Sequence, residues 1–204
     1  TVIVKKTDAK GGVWTSTYDA QGRIIRKSEP LSGKITYTYD AAGRLAHTND
    51  SGNNITSIIY DSLGRKRRIT DPNAGTVEYT YDKCWNVLSK TDAKGNTVTY
   101  TYDNLNRVTY IDYSDSTPDV TYVYDESSMA NGKGRVTSVT DGTSASRYAY
   151  DSNGNMEYSR QSVDNMDFIF TMTYDRQNRL ESVIYPDGAQ IDMQYADMGY
   201  LQAV

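Results

Sequence analysis

A tyrosine is followed directly by an aspartate eight times in this chain: Tyr18-Asp19, Tyr39-Asp40, Tyr60-Asp61, Tyr81-Asp82, Tyr102-Asp103, Tyr124-Asp125, Tyr150-Asp151 and Tyr174-Asp175. The first five pairs are 21 residues apart, the next intervals are 22, 26 and 24, and Tyr195-Ala196 adds a degenerate ninth copy after a further 21. A period this short constrains the fold more than any other feature. One such unit cannot bury an apolar face alone and must stack on its neighbours, so residues 1–204 read as a single repeat region of about nine units. The chain opens at Thr1 without Met and is expected to be a fragment of a longer protein.

The pattern continues after each pair. Gly or Asn stands three residues after the aspartate and Arg follows it, in Gly22-Arg23, Gly43-Arg44, Gly64-Arg65, Asn106-Arg107 and Asn178-Arg179; Gly154 keeps the glycine position, and Gly134-Arg135 keeps both after an insertion. Aspartate at the first position of a type I turn caps the backbone with its carboxylate. Gly or Asn three residues later accepts the left-handed conformation that returns the chain, so the motif is a hairpin turn. Ahead of one such turn, Thr97 to Tyr102 alternates threonine with Val98, Tyr100 and Tyr102, the period of a strand. Behind it, Arg107 to Ile111 is the return strand, and second turns at Asp8 to Gly11, Asp71 to Gly75, Asp92 to Gly95 and Pro186 to Gly188 close their units. Two strands per unit predict about eighteen strands, and sheets of more than ~10 strands curl. The expected fold is all-β: tandem hairpins forming a curved, coiling antiparallel sheet, with no helix beyond a turn or two.

Composition agrees with strands and turns. Leu, Ile, Val and Phe make up only 35 of 204 residues, but 19 Tyr and 23 Thr favour a pleated, half-buried surface. Asp outnumbers Glu 21 to 5, the usage of a turn-rich chain rather than a helical one. With 204 residues the chain is long enough to bury a sizeable core.

Two repeats depart from the pattern. Trp85-Asn86 replaces Gly-Arg in the fourth, and the left-handed position is expected to pass to Asn86. Between Tyr124-Asp125 and Gly134-Arg135 the turn is lengthened, which predicts a protruding loop with room for a short helical segment between Glu126 and Asn131.

Most chemistry fails on inventory. No run of 18 apolar residues is present, so no membrane-spanning helix is expected. Net charge is −4 without a concentrated basic footprint, which argues against nucleic acid; Arg65-Lys66-Arg67-Arg68 reads as a solvated strand start. His47 is the only histidine and Cys84 the only cysteine, so a His-rich metal site and an internal disulfide are both ruled out. His47 reads as an ordinary residue of a return strand, and Cys84 as a turn residue with no base beside it. Asp50 to Asn54 lacks the spacing of a calcium loop, and the glycosylation patterns at Asn49 and Asn54 are of the kind that arise by chance in such a composition. The recurring aspartates follow the turns. No catalytic, metal or cofactor residue is assigned, and the chain is not expected to be an enzyme.

The iterated Tyr-Asp pairs with their Gly/Asn-Arg turns resemble the Rhs, or YD-repeat, family over essentially the whole chain. In that family the repeats form a long sheet that spirals into a hollow shell, as in Rhs polymorphic toxins, the cocoon-forming components of bacterial Tc toxins and teneurin-like shells. The resemblance implies a structural encapsulation module, part of a wall that encloses and presents a C-terminal toxin domain. It also implies a secreted or cell-surface bacterial protein, exported by a dedicated secretion system, whose partners are neighbouring repeats and the downstream toxin domain. The family's C-terminal core with its self-cleaving aspartates is not visible. Asp71-Pro72 lies inside a repeat turn and carries no protease role.

The alternative is an extracellular scaffold whose repeats display a carbohydrate- or protein-binding face, with tyrosine rings stacked on a glycan. Clustered, solvent-exposed aromatic rings would favour it. Size bears on the first reading: about eighteen strands at ~4.8 Å span roughly 86 Å, a ring only ~27 Å across if closed. A 100-residue payload exceeds about 30 Å in diameter. These residues are therefore expected to form an open segment, or a small filled barrel. An open segment self-associates through its edges, near Val2-Ile3-Val4 or Gln190 to Tyr195.

Overall fold

The computed structural model describes residues 1–31, 33–196 and 199–203, and no helix occurs among them. The chain divides into two compact bodies, Thr1–Val98 and Thr99–Val204. The first holds β1 (Val2–Thr7), β2 (Val13–Tyr18), β3 (Ile24–Ser28), β4 (Lys34–Tyr39), β5 (Leu45–Asn49), β6 (Ile55–Tyr60), β7 (Lys66–Asp71), β8 (Gly75–Tyr81) and β9 (Val87–Thr91). Each strand pairs antiparallel with the next, so chain order is sheet order.

Strand β10 (Thr97–Tyr102) carries the chain into the second body. There β11 (Val108–Tyr113), β12 (Val120–Tyr124), β13 (Val136–Thr140), β14 (Ser144–Tyr150), β15 (Met156–Val163), β16 (Met166–Tyr174), β17 (Leu180–Ile184) and β18 (Gln190–Asp192) repeat the meander. A small hairpin of β19 (Gln194–Tyr195) and β20 (Leu201–Ala203) follows. The all-β, antiparallel reading of the sequence is what the structure shows.

Seven Tyr-Asp turns leave the same mark on the register. Thr17 faces Arg26 but Tyr18 faces Ile24, so Ile25 is an extra residue, and the same slip recurs at Tyr39, Tyr60, Tyr81, Tyr124, Tyr150 and Tyr174. The bulge follows from the turn: a type I turn closed by one left-handed residue offsets the two strands by one.

The sizeable core expected from chain length is absent. Among the described residues of each body, strands pack chiefly on their sequence neighbours in the sheet. Among the described residues Ala149 is the sole buried apolar side chain, joined by Thr137, Ser138 and Ser182. Within each body the meander places successive strands side by side, and tyrosine on one face with threonine on the other leaves little wholly apolar surface to fold over. Stability therefore rests on ladder hydrogen bonds and cross-strand side-chain pairs.

The lengthened turn after Tyr124 is also not as expected. It forms turns without a helix, and it does not project freely. The amide of Tyr150 donates to the carbonyl of Ala130, the Asn131 side-chain amide donates to the carbonyl of Tyr150, and Gly132 is buried against Thr137. A polar insertion that meets two strand ends satisfies its backbone there rather than in solvent.

Candidate functional site

The repeated motif is the one constellation of side chains that recurs along both bodies. In the second repeat, Asp40 Oδ1 accepts the backbone N–H of Ala42 (3.0 Å) and of Arg44 (2.9 Å), and Oδ2 accepts Arg44 Nε–H at 2.7 Å. The Asp40 amide donates to the Arg44 carbonyl and the Gly43 amide to the Asp40 carbonyl, which closes the turn with Gly43 left-handed at φ 81°. Asp19 with Arg23, Asp61 with Arg65, Asp103 with Arg107 and Asp175 with Arg179 repeat this arrangement, each ion pair at 2.6 to 2.7 Å. Gly22, Gly64, Asn106, Gly154 and Asn178 take the left-handed position in their turns.

The carboxyls respond to these contacts. For Asp40 the Arg44 backbone N–H leads in holding the pKa below the usual range, and the Arg44 guanidinium adds to it against an opposing desolvation. At Asp19 and Asp61 desolvation pushes up most strongly, yet the N–H groups and guanidinium of the following arginine together outweigh it.

The arginine then reaches into the next repeat. The Arg23 guanidinium lies 4.5 Å from the centre of the Tyr39 ring, Arg44 lies 4.5 Å from Tyr60, Arg65 4.6 Å from Tyr81, Arg107 4.2 Å from Tyr124 and Arg179 4.3 Å from Tyr195. Each of these tyrosines returns the contact by donating its hydroxyl to the carbonyl just after that arginine: Tyr39 to Ile24, Tyr60 to Leu45, Tyr81 to Lys66, Tyr124 to Val108 and Tyr195 to Leu180. One aspartate thus holds an arginine that holds the next tyrosine. The arginine pairs with the aspartate of its own turn and stacks on the tyrosine of the next repeat at the same time.

Three repeats modify the device. Asn155 replaces the arginine, keeping both bonds to Asp151, and Tyr174 still donates to the Met156 carbonyl. At the insertion Asp125 is itself left-handed (φ 63°) and pairs with Arg107 of the preceding repeat at 2.7 Å; Arg135 still lies 5.3 Å from the Tyr150 ring, and Tyr150 donates to Val136.

The fourth repeat corrects the sequence reading. Trp85, not Asn86, is left-handed, at φ 73°. Asn86 occupies the arginine position, with its backbone N–H on Asp82 Oδ1 and its amide on Oδ2. Asp82 fixes which residue must turn, whatever side chain stands there. The indole is 58% exposed and lies 5.5 Å from the Arg65 guanidinium.

The remaining candidates behave as ordinary residues of their elements. His47 Nδ1 is 3.0 Å from Ser57 Oγ across the β5/β6 pair, and no carboxylate contacts the ring among the described residues. Cys84 is exposed, its amide capped by Asp82. Asp50 caps its own turn through Gly52 and Asn54. In the basic run, Arg65 belongs to the motif and Arg68 pairs with Glu78 across β7/β8. Among the described residues no group of three potential metal ligands occurs, and no helix is long and apolar enough to cross a membrane.

The RHS Repeat family model matches residues 18–55 and 86–118. No curated protein sequence matches. Among solved structures, TcdB2-TccC3-Cdc42 superimposes with a TM-score of 0.69 at 18% identity over 93% of this chain. The Photorhabdus luminescens Tc holotoxin pore carrying TccC3-D651A gives 0.67 at 17% identity over 93%, and TcdB2-TccC3 gives 0.62 at 16% over 93%. The chain spans only 12% to 15% of the length of those chains. The chain is thus similar to RHS Repeat proteins over residues 18–55 and 86–118, and it shares its fold with chains of Tc toxin structures.

Proposed function

We propose that this chain is a structural module, a stretch of shell wall that encloses and presents a toxin domain lying downstream in the same polypeptide. The observation that carries the reading is the use of the motif residues: in repeat after repeat, Asp, Arg and Tyr are committed to joining one repeat to the next. The likeness of fold to Tc toxin chains supports it. On this reading the protein is secreted or displayed at a bacterial cell surface, works without catalysis, and has its own flanking repeats and cargo as partners.

The test is limited proteolysis of the full-length polypeptide. The downstream domain should resist digestion in the intact protein and become susceptible when the repeat region is deleted. Equal digestion of that domain with and without the repeats would overturn the reading. The glycan alternative draws no support from the motif tyrosines, whose rings lie under arginine guanidinium groups.

A further inference from the structure

One face of the first body departs from the repeat pattern and forms a groove of about 740 Å³ over β1 to β4, a volume within the range of small-molecule sites. Its floor is apolar and aromatic: Val4, Trp14, Ile35 and Tyr37. Trp14 stands where the neighbouring repeats carry Ile35, Thr56 and Val77, and it is 44% exposed; Val4 is 50% exposed and Ile35 37%. Three lysines line the same groove: Lys6, Lys27 and Lys34. Register explains the mixture. Lys6 faces Trp14 across β1/β2, and Lys27 faces Ile35 across β3/β4, so both lysines stand on the same sheet face as the apolar residues.

These lysines are uncommitted. Among the described residues every ion pair uses an arginine, and none of the three has an ion-pair partner. Two carboxylates also border the groove, Glu29 and Asp50. Asp50 is engaged in its own turn, accepting the amides of Gly52 and Asn54 and the Asn54 side chain. The balance leaves positive charge beside exposed aromatic and aliphatic surface. A negative head group with an apolar tail satisfies both features, and a charge pair beside a low-dielectric floor is stronger than one in open water.

We propose that this groove binds a single small anionic amphiphile, a long-chain carboxylate whose tail lies on Trp14 and Ile35 and whose head group meets Lys6 and Lys27. The site goes beyond the wall-forming role and does not depend on it.

The chain contains only two tryptophans, so in a Trp85→Asn background the fluorescence of Trp14 reports the groove directly. Dodecanoate below its self-assembly concentration should give a saturable shift. Dodecyl maltoside and dodecyltrimethylammonium, with the same tail, should bind about tenfold more weakly or worse, the scale of one charge-assisted contact. Lys6→Glu with Lys27→Glu should weaken dodecanoate by at least the same factor while leaving the far-ultraviolet spectrum unchanged. Lys6→Gln with Lys27→Gln provides the same test should the charge reversal disturb the sheet. Equal affinity for all three head groups, an unchanged response in both lysine variants, or a response seen only with phosphatidylglycerol vesicles would each overturn the proposal.

Discussion

The guanidinium of Arg107 lies 4.2 Å from the centre of the Tyr124 ring, while the hydroxyl of Tyr124 donates at 2.9 Å to the carbonyl of Val108, the residue after that arginine. The contact is reciprocal: the arginine covers the ring, and the ring's hydroxyl caps the strand that the arginine begins. Asp103 fixes the guanidinium from within its own repeat, and Asp125 holds it from the next. A sheet with almost no buried apolar side chain needs links of this kind. Ladder hydrogen bonds fix strand spacing, whereas the Arg-Tyr link fixes how one repeat sits on another.

Removing one hydroxyl tests the link. Tyr60→Phe keeps the ring under Arg44 but leaves the Leu45 carbonyl without its donor. A loss of about 0.5–1.5 kcal/mol is expected, the net worth of one such hydrogen bond. Chemical denaturation should show the loss for Tyr60→Phe and little change for Tyr200→Phe, at a residue that is 73% exposed. Equal effects would mean that the link carries no special weight.

Gly64 serves two purposes. Its φ of 86° is left-handed, and a Cβ there would come within 3.2 Å of Arg44 Nη1, so the glycine leaves room for the preceding repeat's arginine. Gly64→Val should cost about 1–3 kcal/mol through backbone strain. Gly43→Val should behave alike, since its Cβ would meet Arg23 Nη1 at the same distance. Ala42→Val, one residue earlier on an exposed turn, should be mild. Matching melting temperatures for Ala42→Val and Gly43→Val would contradict the turn described.

Trp85 is the converse case, a bulky side chain held where glycine or asparagine stands elsewhere. The left-handed conformation costs an L-residue roughly 1–2 kcal/mol relative to glycine. Trp85→Gly should therefore raise stability by about 1 kcal/mol, reduced by whatever the indole gains beside Arg65. A drop in melting temperature would show that the Trp85-Arg65 contact outweighs the strain.

How much of this was legible in the sequence depends on range. The Tyr-Asp turns could be read because their chemistry is local: an Asp at one position and a Gly or Asn three residues later satisfy the same few backbone groups. The strands between them could be read from alternation at Thr97 to Tyr102. The link from Arg107 to Tyr124 could not, because it joins two repeats across the sheet and not groups that are neighbours in sequence. Trp85 was misread since identity suggested Asn86, whereas the carboxylate of Asp82 fixes the turn by position. The anchoring of Asn131 on Tyr150 depends on a contact across 19 residues and left no trace in the pattern.

Acid should loosen the turns and alkali the links between repeats. Asp40, Asp103 and Asp175 all have pKa values below normal in the folded chain, and Asp141 falls to about 2, led by the Ser144 backbone N–H. A folded pKa below the unfolded value of about 3.9 contributes stability above pH ~4 that disappears as pH falls through the folded value. Tyr81, Tyr124, Tyr150 and Tyr174 are raised, in each case by burial first. Their contribution is complete below about pH 10 and is lost above it, where the tyrosinate can no longer donate to its carbonyl. Melting temperature should be flat between pH 5 and 9, as an order-of-magnitude window from these ordinary values, and fall at both ends. Spectrophotometric titration of wild type against Tyr81→Phe, Tyr124→Phe, Tyr150→Phe and Tyr174→Phe should assign to these four a late component that ionises together with unfolding. Loss of an ordinary, early component in those variants, with the chain still folded, would contradict the role given to these hydroxyls.

Strand β1 raises the question of what lies against its outer edge. Among the described residues of the first body it pairs with β2 alone, and every residue from Val2 to Thr7 is exposed, with Val2 at 60%, Ile3 at 61% and Val4 at 50%. An edge with apolar side chains on both faces is a template for another strand, and Lys5 and Lys6 guard only its second half. We propose that a neighbouring repeat covers this edge in the longer polypeptide and that in the isolated chain a second copy does so. Association should then depend on concentration in light scattering. Ile3→Lys should suppress it without lowering the melting temperature, because an added edge charge opposes strand pairing while β1 keeps its bonds to β2. Extending the chain by the adjoining repeats should abolish it as well. A chain that remains monomeric at millimolar concentration, or one whose association is indifferent to Ile3→Lys, would remove β1 as the pairing surface.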